Sequence, residues 1–145
     1  MSMPFHKCTT WLLRIIGFSI CLAFFPILMP LGTMQQIHAW LGLGDAPDQP
    51  IFEYLARSTS LMYFVHGCTL LVCSSDIQRF MPLIKTLAGL NLFVGFVLIG
   101  TDLMAGMPSY WTAAEGPPIV LGGILLGWLA HRSKREAEVA SNANG

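Results

Sequence analysis

The sequence predicts an all-α integral membrane protein, a bundle of four transmembrane helices. The chain has 145 residues, of which 54% are apolar and only 11% are charged, whereas soluble domains carry about 25% charged residues. A helix needs about 20 apolar residues to cross a bilayer. Four stretches approach this length, at about residues 11–31, 54–74, 83–107 and 113–131. We therefore expect residues 1–145 to form a single four-helix transmembrane domain that ends in a polar cytoplasmic tail, residues 132–145.

The basic residues predict the orientation. Seven of the Lys and Arg side chains would lie on one side of the membrane: Lys7, Arg14, Arg79, Lys85, Arg132, Lys134 and Arg135. The other side has only Arg57, at its edge. Because short loops rich in Lys and Arg stay in the cytoplasm, we expect both termini to be cytoplasmic. The corresponding location is the bacterial inner (plasma) membrane.

The first stretch, residues 11–31, has a basic start and an apolar middle, as secretory signal peptides do. Its apolar run is long for a signal peptide, however, and the sequence "PILMPLGTMQQIHAW" contains no cleavage site of small residues. We therefore expect a retained transmembrane helix.

A short amphipathic helix is predicted in the connection between the first and second transmembrane helices. Met34, Ile37, Trp40 and Leu41 recur at helical spacing, and polar residues lie between them. The following "GLGDAPDQP" cannot continue a regular helix. We expect this helix to lie in the membrane interface, with Trp40 at headgroup depth.

The second and third stretches contain polar residues that are costly in a membrane. An ionisable side chain at the bilayer centre costs about 2.5–3.5 kcal/mol on insertion scales. From a rise of about 1.5 Å per residue, Arg57 shares a depth with Asp102, and His66 shares one with Asn91. Asn91 and Asp102 fall on one helix face, whereas Arg57 and His66 fall on opposite faces of theirs. Only one of the latter two can point directly at the Asn91 face.

Two interpretations of this polar face remain open. In the structural one, a neutral His66 is hydrogen-bonded to Asn91 or to a hydroxyl group and holds the bundle together. In the functional one, a proton path or a ligand cavity is lined by Tyr63, His66, Asn91, Asp102 and Arg57.

The charged residues near the outer boundary also allow two interpretations. An ion pair could form among Glu53, Arg57, Asp102 and Glu115, and Glu53 is the helical i−4 neighbour of Arg57. Alternatively, Arg57 and its surroundings could bind an anion or a lipid headgroup at the outer rim.

The fourth stretch is ambiguous at its start. Pro117 and Pro118 suit the first turn of a helix, but a helix that begins near Trp111 would contain both prolines and kink there. Gly123 and Gly127 have the spacing that allows close helix approach. That spacing fits internal packing and a homodimer face equally well.

No motif for enzymatic chemistry is found in the sequence. Phosphate-binding loops, zinc spacings, nucleophile elbows and close pairs of carboxylates are absent, so no catalytic residue, metal or cofactor is predicted. The four cysteines, Cys8, Cys21, Cys68 and Cys73, are interpreted as free thiols. The chain is similar to small multidrug exporters only in helix number, because its first stretch lacks their membrane glutamate. It also lacks the outward-facing cysteine pairs of disulfide-generating membrane oxidoreductases.

The sequence thus predicts a small multi-pass membrane protein that serves as a non-enzymatic accessory or structural component. The alternative is a small-molecule or lipid-binding carrier with an outward-facing polar cavity around His66, Asn91 and Asp102. The expected partners are the lipid bilayer and either a second copy of the chain or another membrane protein. A formal net charge of zero favours no nucleic-acid partner.

Overall fold

The computed structural model describes residues 4–142, and these residues form helices and short connections without any strand. The helices are α1 (Pro4–Cys21), α2 (Phe24–Leu28), α3 (Leu31–Trp40), α4 (Pro50–Cys73), α5 (Met81–Ala105) and α6 (Ser109–Asn142). In the described part of the chain, five helices have ten residues or more. Four of them, α1, α4, α5 and α6, contain the predicted spans, and the fifth is α3. The prediction of an all-helical protein is confirmed.

Among the residues that the structure describes, three helical stretches are long and apolar enough to cross a membrane: Phe5–Leu28, Met81–Ala105 and Ser109–Glu136. They correspond to the first, third and fourth predicted spans. The second predicted span, residues 54–74, falls in α4, which has 24 residues but is not among the three. Arg57, His66 and several hydroxyl side chains lower its mean hydropathy. Composition therefore supports three crossings rather than the predicted four.

The first crossing stretch is interrupted between α1 and α2. Pro26 has no N–H group to donate to the carbonyl oxygen of Leu22, and this oxygen instead accepts from the backbone N–H of Phe25 at 3.1 Å. Met29 is extended, with φ −71° and ψ 136°, as expected for a residue before proline. The stretch thus runs over Phe5–Leu28 and not over residues 11–31.

The short helix predicted in the first connection is present as α3. Met34 is buried, whereas the side chain of Trp40 is 84% exposed. His38 Nδ1 lies 2.9 Å from the backbone oxygen of Gly44, just beyond the end of the helix. The position of α3 in the membrane interface stays a prediction.

The last two helices end and begin at turn residues. Gly106 caps α5 in the left-handed conformation, with φ 67°, which costs glycine little. Since α6 begins at Ser109, Pro117 and Pro118 lie inside it, as in the alternative of a helix that begins near Trp111, and not in its first turn. The helix continues through most of the predicted polar tail to Asn142, and residues 143–145 of that tail lie outside the described residues.

The chain divides into two compact units. One contains Met1–Arg14 and Val72–Gly145, and its fully buried side chains include Leu13, Ile77, Ile84 and Leu126. The other contains Ile15–Leu71, where α1 and α4 cross closely. A Cβ atom on Gly67 would lie 2.8 Å from the backbone oxygen of Gly17, so only glycine allows this approach.

Many large apolar side chains are exposed on the membrane-length helices. Phe18, Phe93 and Met104 are 64%, 66% and 91% exposed, respectively. Such an extent of exposed apolar surface is unusual for a protein surrounded by water. It suits helices surrounded by lipid.

Candidate functional site

Arg57 joins α4 to the end of α2. Its Nε and Nη2 atoms donate to Oε1 of Glu53 at 2.9 and 2.7 Å. Nη2 also donates to the backbone oxygen of Met29 at 3.0 Å, and Nη1 donates to that of Ile27. The guanidinium group therefore binds one carboxylate and two main-chain carbonyls.

The two carbonyls need this donor because the helix stops there. In a continuous helix the oxygen of Ile27 would accept from the N–H of Leu31, but the chain turns at Met29 and Pro30. Backbone groups left unpaired within a membrane cost several kcal/mol each. Arg57 thus supplies hydrogen-bond donors to the two carbonyl groups at the helix break. This is a structural reason for an arginine in α4.

Of the predicted ion-pair residues, the structure brings together Arg57 and Glu53, at 2.7 Å. Glu115 instead accepts a hydrogen bond at 2.7 Å from the indole Nε1 of Trp111, its neighbour one turn earlier. Arg57 and Asp102 belong to different units, and their predicted pairing stays a prediction.

Asp102 is a buried carboxylate near the C-terminal end of α5. It is 6% exposed, and its Oδ2 atom has no hydrogen-bond partner among the described residues. Among the predicted site residues, Asp102 alone has a buried side-chain atom, Oδ2, that lacks a hydrogen-bond partner in the described part of the chain.

The antiparallel packing of α5 and α6 places Asp102 near the level of Thr112. A Cβ atom on Gly95 would lie 3.0 Å from the backbone nitrogen of Val120, and one on Gly123 would lie 2.9 Å from the backbone oxygen of Ala88. Continuing this register toward the connecting turn leads from Gly95 to Asp102 and from Val120 to Thr112. The buried Thr112 Oγ1 also has no partner among the described residues.

Asn91 lies in the same seam between α5 and α6. Its Cβ atom would be 3.2 Å from a Cβ atom on Gly123, so the predicted polar residue and the predicted packing glycine meet. At Gly127 the corresponding distance to the Cβ atom of Ala88 is a comfortable 3.6 Å. Gly123 therefore lies where the backbones of α5 and α6 approach closely, and its role in internal packing or in a homodimer stays a prediction.

Tyr63 and His66 lie on α4, and His66 is half-buried. They belong to the Ile15–Leu71 unit, whereas Asn91 and Asp102 belong to the other. The predicted cavity that would join the four residues stays a prediction.

A contact that the sequence did not predict joins the start of α1 to the second half of α6. The hydroxyl groups of Thr9 and Ser133, both fully buried, are 2.9 Å apart. The rings of Phe5 and Trp128 meet edge to face with centroids 5.7 Å apart. Arg132 lies over both rings, at 5.9 Å from Phe5 and 5.6 Å from Trp128.

The sequence also did not indicate that two of the free thiols are neighbours. The Sγ atoms of Cys21 and Cys68 are 3.9 Å apart at the close crossing of α1 and α4. A disulfide needs about 2.05 Å between the sulfur atoms, so a small side-chain rotation would be required.

We expect a thiol oxidant to link Cys21 and Cys68 within one chain. Intact-mass and peptide mapping of the oxidised, detergent-solubilised protein should find this link, and the variant Cys68→Ser should lose it. The variant Cys73→Ser should keep it, because Cys73 is buried elsewhere. A link between Cys68 and Cys73 in its place would contradict the crossing of α1 and α4.

Comparisons of the chain with known protein families, with curated proteins and with solved structures found no match.

Proposed function

We propose that the chain is a multi-pass protein of the bacterial plasma membrane with four crossing helices, the Phe5–Leu28 stretch, α4, α5 and α6, and with both termini in the cytoplasm. In this proposal it acts as a non-enzymatic accessory component, through helix packing with a second copy or another membrane protein. The observation that carries the proposed topology is the contact between Thr9 and Ser133.

This contact places the start of α1 beside the second half of α6. The buried hydroxyl pair is 2.9 Å apart, and the neighbouring Phe5–Trp128 contact extends it. Two helix ends that pack together in this way are on the same side of a membrane. The excess of Lys and Arg near both ends favours the cytoplasmic side.

The order of the helices supports four crossings. Because α5 and α6 are antiparallel, α5 begins on the side where α6 ends. If the Phe5–Leu28 stretch crosses the membrane from that side, the chain must cross back between Leu28 and Met81. At about 1.5 Å per residue, the 24 residues of α4 span about 36 Å, enough for hydrocarbon about 30 Å thick.

The accessory role is supported by what the polar residues of the membrane helices do. Arg57 is bonded to Glu53 and to two main-chain carbonyls. Asn91 lies against Gly123 in the seam between α5 and α6. Each of these residues has a packing role that requires no substrate.

The carrier alternative is favoured by one observation, the unpartnered Oδ2 atom of the buried Asp102. A buried polar atom usually has a hydrogen-bond partner. A small ligand with a hydrogen-bond donor, or a cation, would supply one.

Replacing Asp102 with asparagine separates the two proposals. For an accessory protein we expect Asp102→Asn to leave thermal stability in detergent unchanged, because asparagine has nearly the same shape and the Oδ2 atom that it replaces has no hydrogen-bond partner among the described residues to lose. Native mass spectrometry should find the same bound species in both proteins. The exposed Asp45 provides the control variant Asp45→Asn.

For a carrier, Asp102→Asn should lose a co-purifying small molecule that the wild type and Asp45→Asn retain. That result would reject the accessory proposal in favour of a binding site at Asp102.

A further inference from the structure

We propose that a groove on the α5–α6 pair binds an anionic phospholipid, with an acyl chain in the groove and the phosphate group beside Lys85. The groove has a volume of about 500 Å³, within the range of about 300–1,000 Å³ typical of small-molecule pockets. Its walls come from the first half of α5 and the middle of α6, and they include Lys85, Ala88, Gly89, Gly123, Gly127, Trp128 and His131.

Small residues create the groove. Gly89 faces open space, because a Cβ atom there would meet no atom within 4 Å. Gly123 brings α6 so close to α5 that a Cβ atom would lie 2.9 Å from the backbone oxygen of Ala88. The result is an apolar trough that no side chain fills. Ala88 and Gly127 form its base. An acyl chain can lie in such a trough with no hydrogen-bonding requirement.

Polar and aromatic groups gather at only one end of the groove. Lys85 and His131 are exposed, and neither forms an ion pair with another residue of the described chain. Trp128 lies at the same end. Arg132 is the residue after His131, and its guanidinium group lies 5.6 Å from the centre of the Trp128 ring. Tryptophan and basic residues are typical of the headgroup level of a membrane protein.

The charge pattern selects the ligand. The groove-lining residues include one lysine and one histidine but no acidic residue. Basic pockets between membrane helices favour lipids with phosphate headgroups and net negative charge. A zwitterionic lipid could fill the apolar trough equally well but would gain less from Lys85. An anionic phospholipid of the leaflet that meets the Lys85 end therefore matches both the trough and its charged end.

The site can be tested by native mass spectrometry of the full chain in detergent micelles that contain equal amounts of phosphatidylglycerol and phosphatidylcholine. We expect retained phosphatidylglycerol to exceed phosphatidylcholine. Loss of one basic group near an anionic surface weakens attraction by about 1 kcal/mol. Lys85→Gln should therefore lower phosphatidylglycerol retention about fivefold, since each 1.4 kcal/mol is a factor of ten.

The chain offers matched controls for both parts of the site. Lys134 is a basic residue outside the groove that pairs with Glu138 at 3.5 Å, so Lys134→Gln should leave the lipid preference unchanged. Gly89→Phe should block the trough and remove retained lipid. Gly122→Phe should not, because Gly122 also faces open space but does not line the groove. Circular dichroism should show wild-type helicity for every variant compared.

Three outcomes would overturn the proposal. Equal retention of the two lipids by the wild type would remove the charge argument. Equal effects of Lys85→Gln and Lys134→Gln would show that any surface lysine suffices. A dimer that excludes lipid from the groove, and that Gly89→Phe disrupts, would identify a second copy of the chain as its occupant.

Discussion

Replacing Arg57 with methionine is expected to destabilise the protein by about 2–4 kcal/mol. Hydrogen bonds to charged groups contribute about 1.5–3 kcal/mol each, and the partial exposure of Arg57, whose side chain is 33% exposed, reduces their sum. Methionine keeps much of the apolar stem but leaves the carbonyls of Ile27 and Met29 without their donor. Equilibrium unfolding in mixed detergent micelles, followed by circular dichroism, would measure the loss.

Glu53→Gln is the matched control for Arg57→Met. It removes the carboxylate partner but leaves the guanidinium group on the two main-chain carbonyls. An i,i+4 ion pair on a helix is worth only about 0.3–0.5 kcal/mol when exposed, so its loss should be much smaller. If the two variants were equally destabilised, the ion pair rather than the helix break would be the main role of Arg57.

Adding a methyl group to the α5–α6 seam is expected to destabilise the protein by about 1–3 kcal/mol, the usual cost of overpacking. In Gly123→Ala the new Cβ atom would lie 2.9 Å from the oxygen of Ala88 and 3.1 Å from the nitrogen of Leu92. In Gly95→Ala it would lie 2.6 Å from a methyl carbon of Val120. The helices must separate in the first case, since the obstructing atoms belong to the backbone. The free energy of unfolding in detergent measures the effect.

Gly122→Ala provides the control at the adjacent residue. Its Cβ atom would meet no atom within 4 Å, and alanine favours helix by up to about 1 kcal/mol over glycine. We expect an unchanged or more stable protein. Equal destabilisation by Gly122→Ala and Gly123→Ala would contradict a seam that depends on one face of α6.

The lengths of the apolar stretches in the sequence predicted most of the helices. The stretches that became α1, α5 and α6 are long and apolar, and α3 follows from the spacing of Met34, Ile37 and Trp40. The breaks on the two sides of α2 have a signal in the sequence, because Pro26 and Pro30 each remove a backbone donor. That signal was hidden by the apolar character of the residues around it. The start of α6 remained ambiguous because prolines suit a first turn but are also tolerated within membrane helices.

The partners of the polar residues were harder to predict. Depth along a helix places Arg57 level with Asp102, but it does not reveal the main-chain carbonyls of Ile27 and Met29, which no side chain signals. Thr9 and Ser133 are 124 positions apart in the sequence. Both are small polar residues, and no repeating pattern of the sequence pairs them. Such contacts depend on how helices pack, and a hydropathy pattern does not specify that.

The most direct test of the proposed architecture is the labelling of single cysteines by a membrane-impermeant maleimide in sealed, right-side-out vesicles. In a Cys8→Ser background, Asp45→Cys reports on the connection before α4, and Gln78→Cys reports on the connection after it. Both positions are exposed. The background protein without an introduced cysteine must remain unlabelled.

If α4 crosses the membrane, the Asp45→Cys protein should be labelled in intact vesicles, and the Gln78→Cys protein only after they are opened. Labelling of both positions from the same side would show that α4 does not cross. It would contradict the proposal of four crossings with both termini in the cytoplasm.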